Sequence, residues 1–189
     1  MKRESGISLI EVLVAVLVLS IGLLGIAGLQ TAALTTNSIS YQYSQAALMA
    51  ESMAERMRAN PQAFVLNSTP GYSMTAGTAP GASSANCISQ SCSNPSDQAL
   101  WDEAIFYSQV TGAANNSGAP VLTVQTGGSA VAGLPSGATS ISCTNPFPNN
   151  GTCLITVYWD PGRTATSTNY TCNSTDPTAL RCFTLVFAP

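Results

Sequence analysis

The chain is 189 residues long, room for one domain of ordinary size, and only 8% of it is charged where about 25% is usual. With 45% hydrophobic residues it is no disordered tail, and six Lys+Arg against nine Asp+Glu leave no basic footprint for duplex DNA. The absence of histidine removes Ser-His and Cys-His nucleophile pairs, imidazole acid–base work and most catalytic zinc sites. The chain is therefore expected not to be an enzyme; no catalytic residue, cofactor or metal ligand is assigned.

In chain order, the first element is a short basic leader, Met1-Lys2-Arg3-Glu4-Ser5-Gly6, followed by an apolar run from Ile7 to Leu29 whose one charge is Glu11. At 1.5 Å per residue that run makes about 35 Å of helix, enough to cross a bilayer core. Lys2 and Arg3 in front of it place the N-terminus in the cytoplasm and the remainder outside. A cleaved secretory signal competes, but its apolar region is shorter and lacks a carboxylate. A plain anchor competes too, and Glu11 argues against it, because an acid in a spanning helix needs a partner. Cleavage between Gly6 and Ile7 supplies one. The new amine of Ile7 lies four residues from Glu11, about 6 Å of helical rise, on the same or a neighbouring helix. In low dielectric an unpaired carboxylate is strongly penalised and an amine–carboxylate pair strongly attracted.

The stretch Gly6-Ile7-Ser8-Leu9-Ile10-Glu11-Val12-Leu13-Val14-Ala15 resembles the prepilin processing site of type IV pilins and type II secretion pseudopilins. Its continuation, Leu19-Ser20-Ile21-Gly22-Leu23-Leu24-Gly25 and Gly28-Leu29-Gln30, resembles the PilV class of minor pilins. The resemblance implies that a prepilin peptidase cuts after Gly6 and methylates Ile7. It also implies that Glu11 guides the subunit into a filament by pairing with a neighbouring N-terminus. Two positions depart from the pattern: Ile7 stands where phenylalanine is usual, and Gly28 where abundant shaft pilins commonly carry proline.

The helical pattern continues past the membrane. Leu29, Thr36, Tyr43, Ala50 and Met57 recur every seven residues, with Ala32, Ile39, Ala46 and Met53 between them, an apolar stripe. Gln30, Asn37, Gln45, Glu51, Glu55 and Arg58 lie opposite, and Glu55 and Arg58 can meet at i,i+3. Asn60-Pro61 ends the helix. The expected organisation is a leader over 1–6, a helix over 7–60 that spans the membrane over 7–29, and a head over 61–189.

In the head, a turn-rich region from Asn67 to Asn94 precedes a short helix with Asn94 as N-cap, Pro95 at N1, Asp97 in the first turn and Gly112 at its end. Leu100, Trp101, Ala104 and Ile105 are its expected packing face. Strands are predicted over Val121–Gln125, Thr139–Cys143, Cys153–Trp159 and Arg181–Phe187. The fold class is thus α+β, pilin-like: a long N-terminal helix on an antiparallel sheet of four strands. The six cysteines form three local couples in turn-rich stretches, Cys87 with Cys92, Cys143 with Cys153 and Cys172 with Cys182. Those pairings are favoured among several connectivities, and they imply an oxidising compartment. Asp102-Glu103 and Asp160 read as acids without a basic or nucleophilic companion, and Asp160-Pro161-Gly162 as a turn.

The resemblance implies a structural minor pilin held in the inner membrane with its head in the periplasm, then carried into the pilus fibre at the cell surface. The implied roles are pilus assembly, twitching motility and cell adhesion. Its implied partners are the prepilin peptidase, other minor pilins and the major pilin, the inner-membrane assembly platform and a PilY-type adhesin. A type II secretion pseudopilin shares the leader and Glu11 and is the close alternative. A DNA-uptake or surface-binding pilin is disfavoured, since the head past Pro61 has only Arg163 and Arg181 as cations.

Overall fold

The computed structural model describes residues 8–64, 71–81, 92, 94–112, 133–144, 151–162, 170–172 and 180–188. Its elements run α1 (Leu9–Ala59), a 3-10 helix (Pro61–Phe64), α2 (Pro95–Thr111), β1 (Ala138–Cys143), β2 (Cys153–Trp159) and β3 (Arg181–Phe187). The chain divides into two units, Met1–Tyr41 and Gln42–Pro189. The first contains α1 as far as Tyr41, and the second contains the rest of α1 and every other element.

Within the second unit the three strands form one antiparallel sheet in the order β1-β2-β3. Alternation sets its two faces. On one face the register rows Ile141–Ile155–Leu185 and Thr139–Val157–Phe183 run across the sheet, and Trp159 lies buried at the end of β2. This face joins one core with Ala46, Ala50, Met53, Ala54 and Met57 of α1. The small alanines let helix and sheet approach, and the two methionines fill the remaining space. Tyr43 adds edge-to-face contacts with Trp159 and Phe183, ring centroids 6.0 and 5.5 Å apart. The apolar stripe expected for α1 is thus buried over its last turns. At the C-terminal end of the helix Arg58 meets Glu55 and lies over the Phe187 ring at 5.1 Å.

The other face is more polar. Thr156 and Thr184 share a cross-strand hydrogen bond of 3.1 Å, Tyr158 meets Ser140 at 3.3 Å, and Val186 is 60% exposed. Tyr170 packs edge-on against Tyr158, centroids 5.6 Å apart.

α2 follows its sequence signals. The Asn94 side chain accepts the Asp97 N–H at 2.8 Å, Pro95 opens the first turn, and Gly112 ends the helix in the left-handed region with φ 68°. Its packing differs from expectation. Trp101, Ala104 and Ile105 form only a small cluster of their own, whereas Ala99, Phe106 and Val110 enter the main core. α2 is therefore buried on two sides.

Cys143 and Cys153, partners across β1 and β2, are joined by a disulfide, and another joins Cys172 to Cys182 at the start of β3. Cys92 is also disulfide-bonded, while Cys87 lies outside the described residues. The strand predicted over Val121–Gln125 also lies outside them.

Candidate functional site

The candidate site with most support in the sequence begins at the N-terminus. Gly6 and Ile7 lie outside the described residues, so the described part starts with Ser8, whose carbonyl accepts the Glu11 N–H at 3.0 Å. Glu11 stands in the first turn of α1, where the positive end of the helix dipole favours an acid. Its carboxylate meets no ion-pair partner among the described residues.

Around it the helix presents apolar side chains on every side. Leu9 is 79% exposed, Leu24 is 73% exposed, and the residues between them are exposed throughout. By length and composition this is a helix able to cross a membrane. A helix apolar all round is one that lipid or other helices surround. Ser20, its one hydroxyl before Thr31, donates back to the Leu17 carbonyl at 2.8 Å and so brings no unsatisfied group into apolar surroundings. Thr31, Thr35, Thr36 and Ser40 make the same back-bonds further on.

The second polar cluster is one that sequence reasoning missed. Asp102 and Glu103, read above as acids without a companion, are 1% and 2% exposed and both hydrogen-bonded. Asp102 Oδ1 pairs with Arg56 Nη1 at 3.3 Å and accepts Gln98 Nε2 at 3.1 Å. Asp102 Oδ2 accepts the Tyr72 hydroxyl at 2.9 Å, and Asn60 reaches the same hydroxyl at 3.3 Å. Glu103 Oε1 accepts the Ser73 N–H at 2.6 Å. Burial, more than the charge of Asp102, raises the Glu103 carboxyl to about 8 against the opposing pull of the Ser73 N–H. Burial likewise drives the Tyr72 hydroxyl far upward, so it stays a donor. The isolated-acid expectation fails because the basic companion is 46 residues away in sequence. A signal was present: Ala99, Glu103, Phe106 and Val110 share one helical stripe, which put an acid on a core face.

Asp160 is buried in a turn, its Oδ1 accepting the Gly162 N–H at 2.9 Å. Among the described residues no group of three or more His, Cys, Asp or Glu side chains gathers to hold a metal ion.

A membrane-competent helix opening behind a short basic leader and continuing into a disulfide-bonded antiparallel head defines a pilin-like protein. The model of the prokaryotic N-terminal methylation motif matches residues 1–27, and that of the family described as type IV pilin Tt1218 matches residues 28–104. Over those two stretches the chain is similar to type IV pilins with an N-terminal methylation motif, a structural and non-enzymatic class. The motif implies processing by a prepilin peptidase, anchoring in the membrane and partners in pilus assembly. No curated protein and no solved structure matches it significantly.

Proposed function

We propose that this chain is a minor pilin of the PilV class, cut between Gly6 and Ile7 by a prepilin peptidase that then methylates the Ile7 amine. The leader over 1–6 is removed, and the segment over 7–29 holds the subunit in the inner membrane until it enters the filament. Glu11 is neutralised by the N-terminal amine of a neighbouring pilin, which selects the register in which helices join. The subunit acts with other minor pilins in a complex at the tip or start of the fibre, on the inner-membrane platform, and helps present a PilY-type adhesin.

One observation carries this reading: a lone carboxylate four residues after a processing-site glycine's neighbour, inside a helix apolar on all sides, within the matched methylation motif. The ion pair it lacks among the described residues is the one the cut chain supplies. Gly6→Ala should leave an unprocessed form that migrates as the larger species on a gel. Normal processing of that variant contradicts the leader assignment. Deleting the chain should abolish surface pili with exoprotein secretion intact; the opposite pattern identifies a type II secretion pseudopilin instead.

A further inference from the structure

Residues 71–78 form a strap along the outer edge of β1, and three consecutive residues tie it down. Tyr72 donates its hydroxyl to Asp102, Ser73 donates its N–H to Glu103, and Met74 exchanges two backbone bonds of 3.0 Å with Ile141 of β1. Two of the three anchors are therefore the adjacent buried carboxyl groups of α2. The pilin reading uses neither of them.

The arrangement sets two like groups side by side with unequal compensation. Asp102 receives a guanidinium from Arg56, a hydroxyl and an amide. Glu103 receives one backbone N–H. Among the described residues, the ionisable groups around Glu103 are Asp102 on its own helix and Tyr72 on the strap, with Arg56 of α1 bonded to Asp102. The 3-10 helix and β1, which pack against α2, bring no acid or base. The neutral carboxyl accepts the Ser73 N–H through its carbonyl oxygen at no electrostatic penalty. The ionised one is helped by that N–H but, among the described residues, sits beside Asp102 with no counter-charge of its own, and water admitted past the strap relieves it.

We propose that Glu103 is a protonation-controlled latch: protonated, it holds strap 71–78 against the edge of β1, and ionised, it lets the strap lift and bares that edge. The sign follows from linkage. A carboxyl that binds its proton more tightly in the closed form than in the open form favours closure at low pH and loses that contribution as pH rises. The closed form raises the carboxyl from its ordinary 4.5 to about 8, so the loss lies between those two limits, is smaller the more the open form also raises it, and levels off above the upper one. An opened strap frees the Ile141 N–H and C=O on the edge of β1.

The test is hydrogen exchange at the Ser73, Met74 and Ile141 amides of the full-length chain in detergent micelles, from pH 4 to pH 9, corrected for intrinsic exchange. Protection at these amides should fall by up to about tenfold per pH unit between the two limits and then flatten. In Glu103→Gln, which keeps the acceptor and loses the titration, protection should not change with pH. Ile155 and Val157 on β2 should stay protected in both. A flat wild-type profile, the same fall in Glu103→Gln, or an equal fall at Ile155 and Val157 overturns the latch. Independently of any variant, the Glu103 carboxyl carbon should titrate near pH 8; a midpoint near its ordinary value of 4.5 overturns it as well.

Discussion

Asp102 and Glu103 are buried and met by donors distant in sequence, whereas buried Asp160 is met by the Gly162 N–H within its own turn. Glu11 is the opposite case, an acid with apolar neighbours whose proposed partner is another chain's amine. Glu11→Leu should therefore leave peptidase cleavage intact and lower the subunit's incorporation into pili, read by immunoblot of sheared fibres against whole cells. Wild-type incorporation contradicts the pairing. Gly77 shows a backbone constraint at the same scale. Its φ is +76°, and a Cβ there would lie 2.3 Å from the Tyr170 hydroxyl. Tyr170 is held in turn against Tyr158, so it cannot swing away without losing that contact. Gly77→Ala should lower stability by about 1–3 kcal/mol, measured by thermal unfolding; an unchanged midpoint contradicts it.

The elements divide into those whose signals are local and those whose fate depends on distant partners. α2 was legible to within its caps, because Asn94, Pro95, Asp97 and Gly112 act on their own backbone within one turn. The last three predicted strands were legible from alternation. The faces of α2 were less so. Leu100, Trp101, Ala104 and Ile105 are the more obvious apolar group, yet the core takes Ala99, Phe106 and Val110, whose stripe is interrupted by Glu103. The stripe itself places that acid on a core face, but its hydrogen-bond partner is Ser73, 30 residues earlier, which nothing local to α2 encodes. The cystine between β1 and β2 is a pairing of the local kind, closing a separation of 10 residues. Replacing Cys143 and Cys153 together by serine should cost about 2–3 kcal/mol in denaturant unfolding, mainly through the freer unfolded chain. A loss well under about 1 kcal/mol contradicts that entropic account.

At the scale of the molecule, one chain serves two solvents. The first unit is apolar around its circumference from Leu9 to Leu29, while the second has its own core of helix, sheet and cystines. The low charge content fits a chain with so much of its length in lipid or against other helices. The family matches cover residues 1–104, the anchor and the beginning of the head, and the sheet beyond them is specified by alternation and disulfides. At the junction between leader and helix, the proposed processing would make Glu11 the fifth residue of the mature chain and create the amine that meets it. Mass spectrometry of the N-terminal peptide from pilus-associated protein tests this most directly. The account predicts a peptide that begins at Ile7 and carries one N-methyl group. A mature chain that begins at any other residue, or keeps Met1 to Gly6, contradicts it.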